Sequence, residues 1–448
     1  MSAAQLKSRV EEAVVSNPKL TRADRLPNGW RFYPAFSFDF ANKYLERYAA
    51  DQHTVLDAWN GSGTTTAAAA GLGIKAIGLD LNPAMRVLAR SRVAGSRALW
   101  LACAVSKKLP RSRPDNWIVD LLTDPLSAWF SPSSVLNIRC LQTVLTKTIY
   151  QTAGRHSRTK REEQELIDDL SSVFATAMFA VVRETLDDYL TSNPTWIRIP
   201  KNCDAGVEVL KWPSLRSRFV EATNALVTHL SAQGISDRDG FVRPKLGISS
   251  STALPLRDSS ISTLVSSPPY GTRIDYAVAT AFECAVLGLR RDNEFADLRQ
   301  KLIGTTTVAG DGQLTASVRK WAGPTCSEFL MTVKNHPSHA SATYYLKNWL
   351  GYFQGISTSL SEIHRVLRPE GQCTLVVQDS HYKEIRAPIQ EIFEEMARRH
   401  GMEAVGRYDF RAIRSMGLIH PHANAWRDSS TATESVLVFK KRRRPIPR

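Results

Sequence analysis

The segment from residue 55 reads Val55-Leu56-Asp57-Ala58-Trp59-Asn60-Gly61-Ser62-Gly63-Thr64-Thr65, and ten residues later the chain reads Lys75-Ala76-Ile77-Gly78-Leu79-Asp80. The first run passes from an apolar strand through a turn of small residues into a Thr- and Ala-rich stretch, which we predict to be helical. The second run has the apolar character of another buried strand. Strand, glycine turn, helix and strand within about 30 residues form a βαβ unit, which implies a parallel sheet.

The glycine turn of this unit is suited to binding a ligand. Gly61 and Gly63 allow backbone angles that other residues avoid, and they allow a ligand to approach the main chain closely. The N-terminus of the following helix offers unpaired N–H groups and the positive end of a dipole, which favours a carboxylate or a phosphate. Asp80 ends the second strand about 20 residues later, where an acidic side chain binds ribose hydroxyls in doubly wound folds.

The spacing of the turn differs from two common nucleotide-binding motifs. Thr66 stands at the third glycine position of GxGxxG, and no Gly-Lys-Ser/Thr follows as in a P-loop. Taken alone, the segment therefore allows a second interpretation, a tight strand-to-helix turn that binds no ligand.

A second motif, Ser266-Ser267-Pro268-Pro269-Tyr270-Gly271, follows an apolar strand predicted over residues 261–265. Two consecutive prolines make the loop rigid and remove two N–H donors. The Ser267 side chain and the Pro268 carbonyl are acceptors that suit the two hydrogens of a nucleobase amino group, and Tyr270 suits stacking on a flipped base. The alternative for this motif in isolation is a Pro-Pro turn with a packed tyrosine.

Together the two motifs resemble those of the S-adenosylmethionine-dependent DNA methyltransferases that modify amino groups, the N4-cytosine and N6-adenine enzymes. The resemblance implies that the glycine turn holds the methionine end of the cofactor and that Asp80 binds its ribose. The cofactor-binding residues implied by these two segments are Asp57, Asn60, Gly61, Ser62, Gly63, Thr64, Thr65 and Asp80. The implied catalytic residues are Ser267, Pro268, Pro269 and Tyr270, and the leading serine is commoner among N4-cytosine enzymes.

Three further segments carry the resemblance. Residues 31–36 are similar to the segment that closes over the methionine, which adds Tyr33 and Phe36 to the implied cofactor site. Residues 250–255 align with a family stretch in which an aspartate contacts the adenine ring, and Ser250 stands at that position. Residues 367–371 resemble the turn before a core strand at 374–380. A last strand fits residues 434–440.

The resemblance implies an α/β protein with a Rossmann-like doubly wound methyltransferase sheet and a mainly helical insertion. The cofactor motif precedes the catalytic motif, so the chain is permuted relative to the many relatives with the reverse order. The predicted organisation is an N-terminal helical extension (1–30), the cofactor-binding half of the core (31–96), an inserted helical region that is a candidate for target recognition (97–240), the catalytic half (241–442) and a basic tail (443–448). Among the individual helices that the apolar pattern predicts are those over residues 3–15, 134–153, 163–191 and 385–400.

Composition limits the class of protein. The 448 residues carry 58 Lys+Arg against 43 Asp+Glu, a formal net charge of +15, which indicates a polyanionic partner. Basic clusters at 107–113 and 155–161 lie in the insertion, although such clusters are more often a solvated surface. Six widely scattered cysteines indicate reduced thiols, and the chain has neither an apolar run long enough for a membrane span nor an apolar signal segment at its N-terminus. We therefore expect a cytoplasmic protein.

Other polar and aromatic residues have a structural interpretation as well as a functional one. Asp275 suits a helix cap better than a base contact. Aromatic residues between 321 and 352 suit a packed core better than base stacking. The histidines lack metal-ligand spacing, so we predict no metal site.

The predicted function is site-specific transfer of a methyl group from S-adenosylmethionine to an exocyclic amino group of DNA, with N4 of cytosine favoured slightly over N6 of adenine. The predicted partners are DNA and a cognate restriction or defence protein, with no membrane. Two alternatives stay open: an RNA or protein-amide methyltransferase, and an inactive methyltransferase-fold DNA-binding module of a defence complex.

Overall fold

A computed structural model describes residues 15–19, 36–49, 54–115, 120–189, 198, 209–271, 275–305, 317–412 and 432–442. Three predictions fall outside these residues: Tyr33, the basic tail, and the helix over residues 3–15 except for Val15. Within the described part of the chain, no helix is both long and apolar enough to cross a bilayer.

The described residues form nine strands and fourteen α-helices. The strands are β1 Thr54–Asp57, β2 Lys75–Asp80, β3 Lys245–Ile248, β4 Ile261–Ser266, β5 Leu367–Gln378, β6 Ser380–Tyr382, β7 Ile385–Ala387, β8 Met402–Ala412 and β9 Ala432–Lys441. The helices are α1 Phe38–Tyr48, α2 Thr64–Gly71, α3 Pro83–Arg92, α4 Ser96–Lys107, α5 Pro132–Arg155, α6 Lys160–Thr185, α7 Trp212–Gln233, α8 Tyr276–Ala279, α9 Ala281–Val286, α10 Glu294–Lys301, α11 Ser317–Ala322, α12 Pro324–Asn335, α13 Leu346–Val366 and α14 Ile389–Arg399.

Seven strands form one sheet in the order β3-β2-β1-β4-β5-β9-β8. All neighbours from β3 to β5 are parallel, and β9 runs antiparallel to both β5 and β8. The predicted βαβ unit, β1-α2-β2, lies at the centre of this sheet. The chain builds outward from β1 to β3 and then crosses to the other side at β4, so the order reverses between β1 and β4. Ligands of open α/β sheets bind at such a switch point, outside the carboxyl ends of the strands.

Helices cover both faces of the sheet. The central strands direct their apolar side chains alternately into the two helical layers. Val55 and Val265 pack under α1 and α2, while Leu56 and Leu264 pack under α12, α13 and α14. Strands buried on both faces are typical of parallel sheets. The predicted Rossmann-like methyltransferase sheet is confirmed.

The region between β2 and β3 is helical, as predicted. Helices α5 and α6 correspond to the helices predicted at 134–153 and 163–191. Helix α6 ends six residues earlier than predicted. Helices α4 to α7 share one apolar cluster with α3 and α9 of the core. A buried ion pair between Arg183 of α6 and Glu283 of α9, at 2.8 Å, joins the insertion to the segment that follows the second motif.

Two local predictions were wrong, and one strand was missed. Residues 367–371 are a bulge inside β5 rather than a turn before it: pairing with β4 skips from Leu367 to Gln372, and Glu370 has φ +64°. The helix predicted over 385–400 begins only at Ile389, because residues 385–387 pair with β6. Strand β8 was not predicted.

Candidate active site

The two sequence motifs meet where the strand order reverses. Asp57 ends β1 and Ser266 ends the neighbouring β4, and the Ser266 hydroxyl donates a hydrogen bond to Asp57 Oδ1. The N–H of Trp59 donates to Ser266 Oγ at 3.1 Å. The beginning of the glycine turn is therefore joined directly to the residue that precedes residues 267–271, which we call the Pro-Pro loop.

The glycine turn depends on the absence of side chains. Gly61 and Gly63 have φ of +48° and +84°. Gly63 is also the N-cap of α2, and a Cβ at this position would lie 2.7 Å from Cβ of Ala89 in α3. Glycine is therefore required here for the left-handed backbone and for the close approach of α3.

Asn60 supports the turn from beneath. Its Oδ1 accepts a hydrogen bond from Thr66 Oγ1 at 3.0 Å. Its amide group covers Gly78 of β2, where a Cβ would come within 2.5 Å of it. The structure thus places the Asn60 side chain between the turn and the sheet.

Ser62, Thr64 and Thr65 are each less than one-tenth exposed. Thr65 Oγ1 donates to the carbonyl of Val265 in β4 at 3.2 Å, which ties α2 to the strand that carries the second motif. Since these side chains face protein, the turn offers a ligand mainly its main chain, including the N–H groups of the first turn of α2 that have no helical partner.

Asp80 is held beside the turn at the end of β2. Its Oδ2 accepts from the N–H of Gly61 at 2.8 Å, and its Oδ1 accepts from the N–H of Asn82 at 2.9 Å. Burial raises the pKa of Asp80 to about 6, and the two backbone hydrogen bonds oppose that rise. The carboxylate has a fixed orientation, and its oxygens keep lone pairs for further donors such as hydroxyls.

Asp57 is 2% exposed and directs its hydrogen bonds into the protein. Burial raises its pKa to about 6, while hydrogen bonds from Ser266 and from the N–H of Trp59 lower it. The structure therefore places Asp57 as the link between the two motifs.

Two acceptors stand at the start of the Pro-Pro loop. Ser267 donates its hydroxyl proton to the carbonyl of Val376 in β5 at 2.9 Å. A hydroxyl has only one proton, so the lone pairs of Ser267 Oγ are left to accept. The Pro268 carbonyl receives no hydrogen bond from the residues that the structure describes. Both groups are thus able to receive hydrogens from a ligand.

Two tyrosines clamp the rest of the loop. The Tyr352 hydroxyl of α13 donates to the Pro269 carbonyl at 2.9 Å, and the N–H of Tyr270 donates to the Tyr276 hydroxyl at 2.8 Å. Burial raises the pKa of both hydroxyls, which keeps them protonated at neutral pH. Neither tyrosine was predicted at the site, because contacts from α8 and α13 depend on packing rather than on motif spacing.

Tyr270 is buried rather than displayed on the surface. It is 8% exposed, and its hydroxyl lies 3.4 Å from Oε1 of Glu434 in β9. Burial raises the pKa of Glu434 to about 7 and that of Tyr270 well above its usual value. Sequence reasoning assigned Glu434 only to a strand. Stacking of Tyr270 on a base stays a prediction.

The other two predicted cofactor residues that the structure describes, Ser250 and Phe36, lie in different parts of the fold. Ser249 donates its N–H to the Asp80 carbonyl at 3.1 Å, so Ser250 follows at the same edge of the sheet, and its Oγ lies 2.7 Å from Thr252 Oγ1. Phe36 lies in the core layer of α1, with its ring edge-on to Phe40 at 5.4 Å, and a role toward a cofactor stays a prediction.

Asp275 caps α8, as the structural interpretation predicted. Its carboxylate accepts from the N–H of Val278 at 3.1 Å and pairs with Arg299 at 2.7 Å. The cap fixes the chain just after the Pro-Pro loop. No group of three His, Cys, Asp or Glu side chains in the described ranges could hold a metal ion.

The two basic clusters lie at opposite ends of the insertion. Helix α6 begins at the edge of the sheet away from the site, where Asp169 binds the N–H of Gly95 and pairs with Arg90 at the end of α3. It ends on the site side, where Arg183 donates to the carbonyl of Ala279, four residues after the cap at Asp275.

The cluster at 107–113 lies at the site end of the insertion. Arg216 of α7 donates to the carbonyl of Lys107, and Arg218, half a turn further on, donates to Thr185 at the end of α6. The cluster at 155–161 lies at the other end, where α6 begins. Its Lys160 pairs with Glu163 at 2.7 Å and its Arg161 with Glu165 at 3.1 Å.

Comparison with known proteins gives one relative and several distant structural likenesses. The chain is 19% identical over 407 residues to the "Type II methyltransferase M.MvaI" of Kocuria varians, covering 85% of this chain and 83% of the relative. No protein-family profile matches the chain. The sequence match supports a methyltransferase.

Two solved structures also align with most of the chain. The YcgJ protein from Bacillus subtilis is 9% identical, with 91% of this chain and 100% of that chain covered and a TM-score of 0.30. The rRNA methyltransferase AviRa from Streptomyces viridochromogenes is 13% identical, with coverage of 96% and 94% and a TM-score of 0.27.

Proposed function

We propose that the protein transfers a methyl group from S-adenosylmethionine to an exocyclic amino group of a DNA base, with N4 of cytosine favoured over N6 of adenine. The observation that carries the proposal is the junction of the two motifs at the switch point. Through the bond between Asp57 and Ser266, a turn suited to the cofactor lies against a loop suited to the amino group.

The residues at the turn fit this cofactor. Asp80 suits its ribose hydroxyls, because the carboxylate is oriented by backbone N–H groups and keeps free lone pairs. The first turn of α2 suits its carboxylate, because unpaired N–H groups bind anions. When bound, the cofactor supplies a methyl group on a positively charged sulfur.

The Pro-Pro loop would orient the acceptor. The nitrogen of a base amino group is a poor nucleophile because its lone pair is delocalised into the ring. Accepting its two hydrogens at Ser267 Oγ and at the Pro268 carbonyl favours a tetrahedral nitrogen whose lone pair is available. Both acceptors are held in place before the base arrives, Ser267 by Val376 and the loop by Tyr352, so the site contributes orientation.

Two observations favour a nucleic acid as the substrate. The net charge of +15 suits a phosphate backbone, and one of the two basic clusters lies at the site end of the insertion. DNA rather than RNA is favoured by the leading Ser267 and by the relative, whose description is that of a type II methyltransferase.

The test is methyl transfer with tritiated cofactor to unmethylated mixed-sequence DNA, to total RNA and to protein in parallel reactions. We expect label in DNA, and digestion of the DNA to nucleosides should yield N4-methylcytosine. Label in RNA or in protein and not in DNA would overturn the choice of DNA. N6-methyladenine would overturn the choice of base alone.

A calorimetric titration with S-adenosylmethionine separates an active enzyme from an inactive module of the same fold. We expect saturable binding by the wild type. Absence of heat together with absence of label would contradict the proposed enzyme.

A further inference from the structure

A buried hydrogen-bond path joins the cofactor side of the site to the far end of the Pro-Pro loop. It starts at Asn82, whose N–H donates to Asp80 Oδ1 at 2.9 Å. The Asn82 residue is 3% exposed, and its side-chain Nδ2 donates to Oγ1 of Thr280 at 2.7 Å. Thr280 stands between α8 and α9, 198 residues further along the chain.

The path continues from Thr280 to the loop backbone. The Thr280 hydroxyl donates its proton to the Tyr276 carbonyl at 3.0 Å, so its lone pairs are left to accept from Asn82. The Tyr276 hydroxyl in turn accepts from the N–H of Tyr270 at 2.8 Å. Three residues, Asn82, Thr280 and Tyr276, therefore connect the carboxylate of Asp80 to the Pro-Pro loop.

The orientation of the Asn82 amide is fixed by its two neighbours. Asn82 is the N-cap of α3, and its Oδ1 accepts from the N–H of Ala84 at 3.0 Å. Because the amide oxygen faces this N–H, the amide nitrogen is directed to Thr280. Serine and aspartate cap helices as well as asparagine does, but only asparagine among them also supplies a separate N–H donor.

The segment that contains Thr280 is also held by the insertion. Arg183 of α6 donates to the carbonyl of Ala279 at 3.0 Å and pairs with Glu283 of α9 at 2.8 Å. Thr280 itself is 1% exposed. The segment that follows the Pro-Pro loop is thus fixed against both the cofactor half of the core and the insertion.

This path complements the bond between Asp57 and Ser266. That bond holds the residue before the Pro-Pro loop, and the path holds the loop at the N–H of Tyr270. The two acceptors, at Ser267 and Pro268, lie between these fixed points. Loss of one fixed point should therefore displace the acceptors without removing any group that touches cofactor or base.

We infer that Asn82 and Thr280 are positioning residues, which hold the Pro-Pro loop in register with a cofactor bound at Asp80. The inference rests on the proposed function, in which Asp80 orients the cofactor while Ser267 and Pro268 orient the acceptor. Transfer requires the reacting atoms to lie about 3–3.5 Å apart and aligned, and a misplacement of about 1 Å costs about 100-fold in rate. A contact between the two halves of the site maintains this geometry.

The test compares Thr280→Val with Thr280→Ser, using tritiated cofactor and unmethylated mixed-sequence DNA. Val keeps the shape of the side chain and removes the acceptor, whereas Ser keeps the hydroxyl. We expect kcat to fall at least about tenfold for Val and to stay close to the wild-type value for Ser. The KM for DNA and the calorimetric affinity for S-adenosylmethionine should stay within about twofold of the wild type in both variants, since neither ligand touches Thr280.

Asn82→Ser changes the other partner of the same contact. Serine keeps the cap of α3 but is too short to donate to Thr280, so kcat should fall here as well. Because both substitutions remove one hydrogen bond, the double variant Asn82→Ser/Thr280→Val should be about as slow as the slower single variant. Losses that multiply in the double variant would mean that the two residues act separately, which contradicts the inference.

Thr223→Val is the matched control for Thr280→Val. Thr223 of α7 is also buried, and its hydroxyl donates to the carbonyl of Phe219, one turn earlier, at 2.8 Å. It does not belong to the path, so kcat should equal that of the wild type. Equal losses in the two Thr→Val variants would mean that any buried threonine is needed for stability, and Thr280 would have no positioning role.

The outcomes separate this inference from the function on which it rests. If the wild type does not label DNA, the proposed function fails and the inference fails with it. If the wild type labels DNA and Thr280→Val does so equally fast, the positioning role is wrong and the proposed function stands. A loss for Ser as large as that for Val, or a loss of cofactor affinity in place of kcat, would also overturn the positioning role.

Discussion

At the scale of single residues, Ser267 carries the most specific chemical role. Because its proton is donated to Val376, its oxygen is left as an acceptor for the amino group. We expect Ser267→Ala to reduce methyl transfer about 100-fold or more, as removal of one preorganised hydrogen-bonding group does elsewhere, with cofactor affinity unchanged. Transfer rates and calorimetry on the same preparation would measure this.

Ser262 gives the matched control for that substitution. It lies on β4, the strand that leads to Ser267, is 9% exposed, and its Oγ has no partner among the described residues. Ser262→Ala should leave the transfer rate within about twofold of the wild type. An equal loss in both variants would mean that β4 tolerates no truncation, and Ser267 would have no special role.

Glu434 makes the stability of the protein depend on pH. Burial raises its pKa to about 7, so the folded state holds this proton more tightly than the unfolded chain does. Its contribution to the free energy of unfolding therefore falls as pH rises from about 5 to above 7. Glu434→Gln should stabilise the protein at pH 8 by about 1–3 kcal/mol, and this gain should shrink toward pH 5.5.

Urea denaturation at the two pH values would measure that effect. Glu403→Gln, on the exposed part of β8, is the control and should show no gain that changes with pH. A gain for Glu434→Gln of the same size at both pH values would contradict the raised pKa.

The site residues that the sequence could predict are those that belong to a short local motif with a recognisable chemistry. Asp80, Gly63 and Ser267 stand in short patterns with a recognisable function. Glu434 and Tyr352 do not, because their roles depend on contacts across the fold. Glu434 meets Tyr270 across 164 residues of chain. No periodicity in a single sequence reports such a pair.

At the scale of elements, the strand–turn–helix unit is the part most constrained by its sequence. Gly63 combines a left-handed backbone with a Cβ position that would clash with Ala89. We expect Gly63→Ala to lower the free energy of unfolding by about 2–4 kcal/mol, the sum of backbone strain and overpacking. Denaturant unfolding would measure this.

Gly240 separates the two contributions. Its φ is +77°, but a Cβ there would meet no atom within 4 Å. Gly240→Ala should therefore cost only the backbone strain, about 1–2 kcal/mol. Equal losses at Gly63 and Gly240 would show that the contact between α2 and α3 contributes nothing.

Elements with a strong apolar periodicity or clear helix caps were predictable. Elements that are defined by the pairing of strands were not. The βαβ unit and helices α5 and α6 follow from apolar pattern and length. Strand β8 carries mostly exposed residues, since it forms the edge of the sheet, and so lacks the apolar run of a buried strand. The bulge in β5 depends on the register of β4, which no local pattern contains.

At the scale of the whole molecule, the insertion is packed into the core rather than appended to it. Its apolar cluster includes residues of α3 and α9, and Arg183 pairs with Glu283 beside the segment that follows the Pro-Pro loop. One end of the insertion is therefore fixed on the site side of the sheet and the other on the opposite side. The sequence showed two basic clusters but not this arrangement, because it depends on the antiparallel packing of α5, α6 and α7.

This arrangement makes the two basic clusters unequal. Lys107, Lys108 and Arg111 are exposed at the site end, and none of them pairs with a carboxylate in the described ranges. The cluster at 155–161 lies at the far end and two of its cations are paired. If the proposed substrate is correct, a duplex that delivers a base to the Pro-Pro loop should contact the first cluster and not the second.

The corresponding experiment compares two triple variants with the same change in charge. Alanine at positions 107, 108 and 111 should weaken binding to unmethylated DNA about 10- to 100-fold near 0.1 M salt, and should reduce the slope of log affinity against log salt by about 2–3. Alanine at positions 155, 158 and 160 should change both quantities little, because that end faces away from the site. Fluorescence anisotropy over a salt series would measure both quantities. Equal weakening of DNA binding by the two triple variants would mean that affinity depends on net charge alone and not on a surface beside the site.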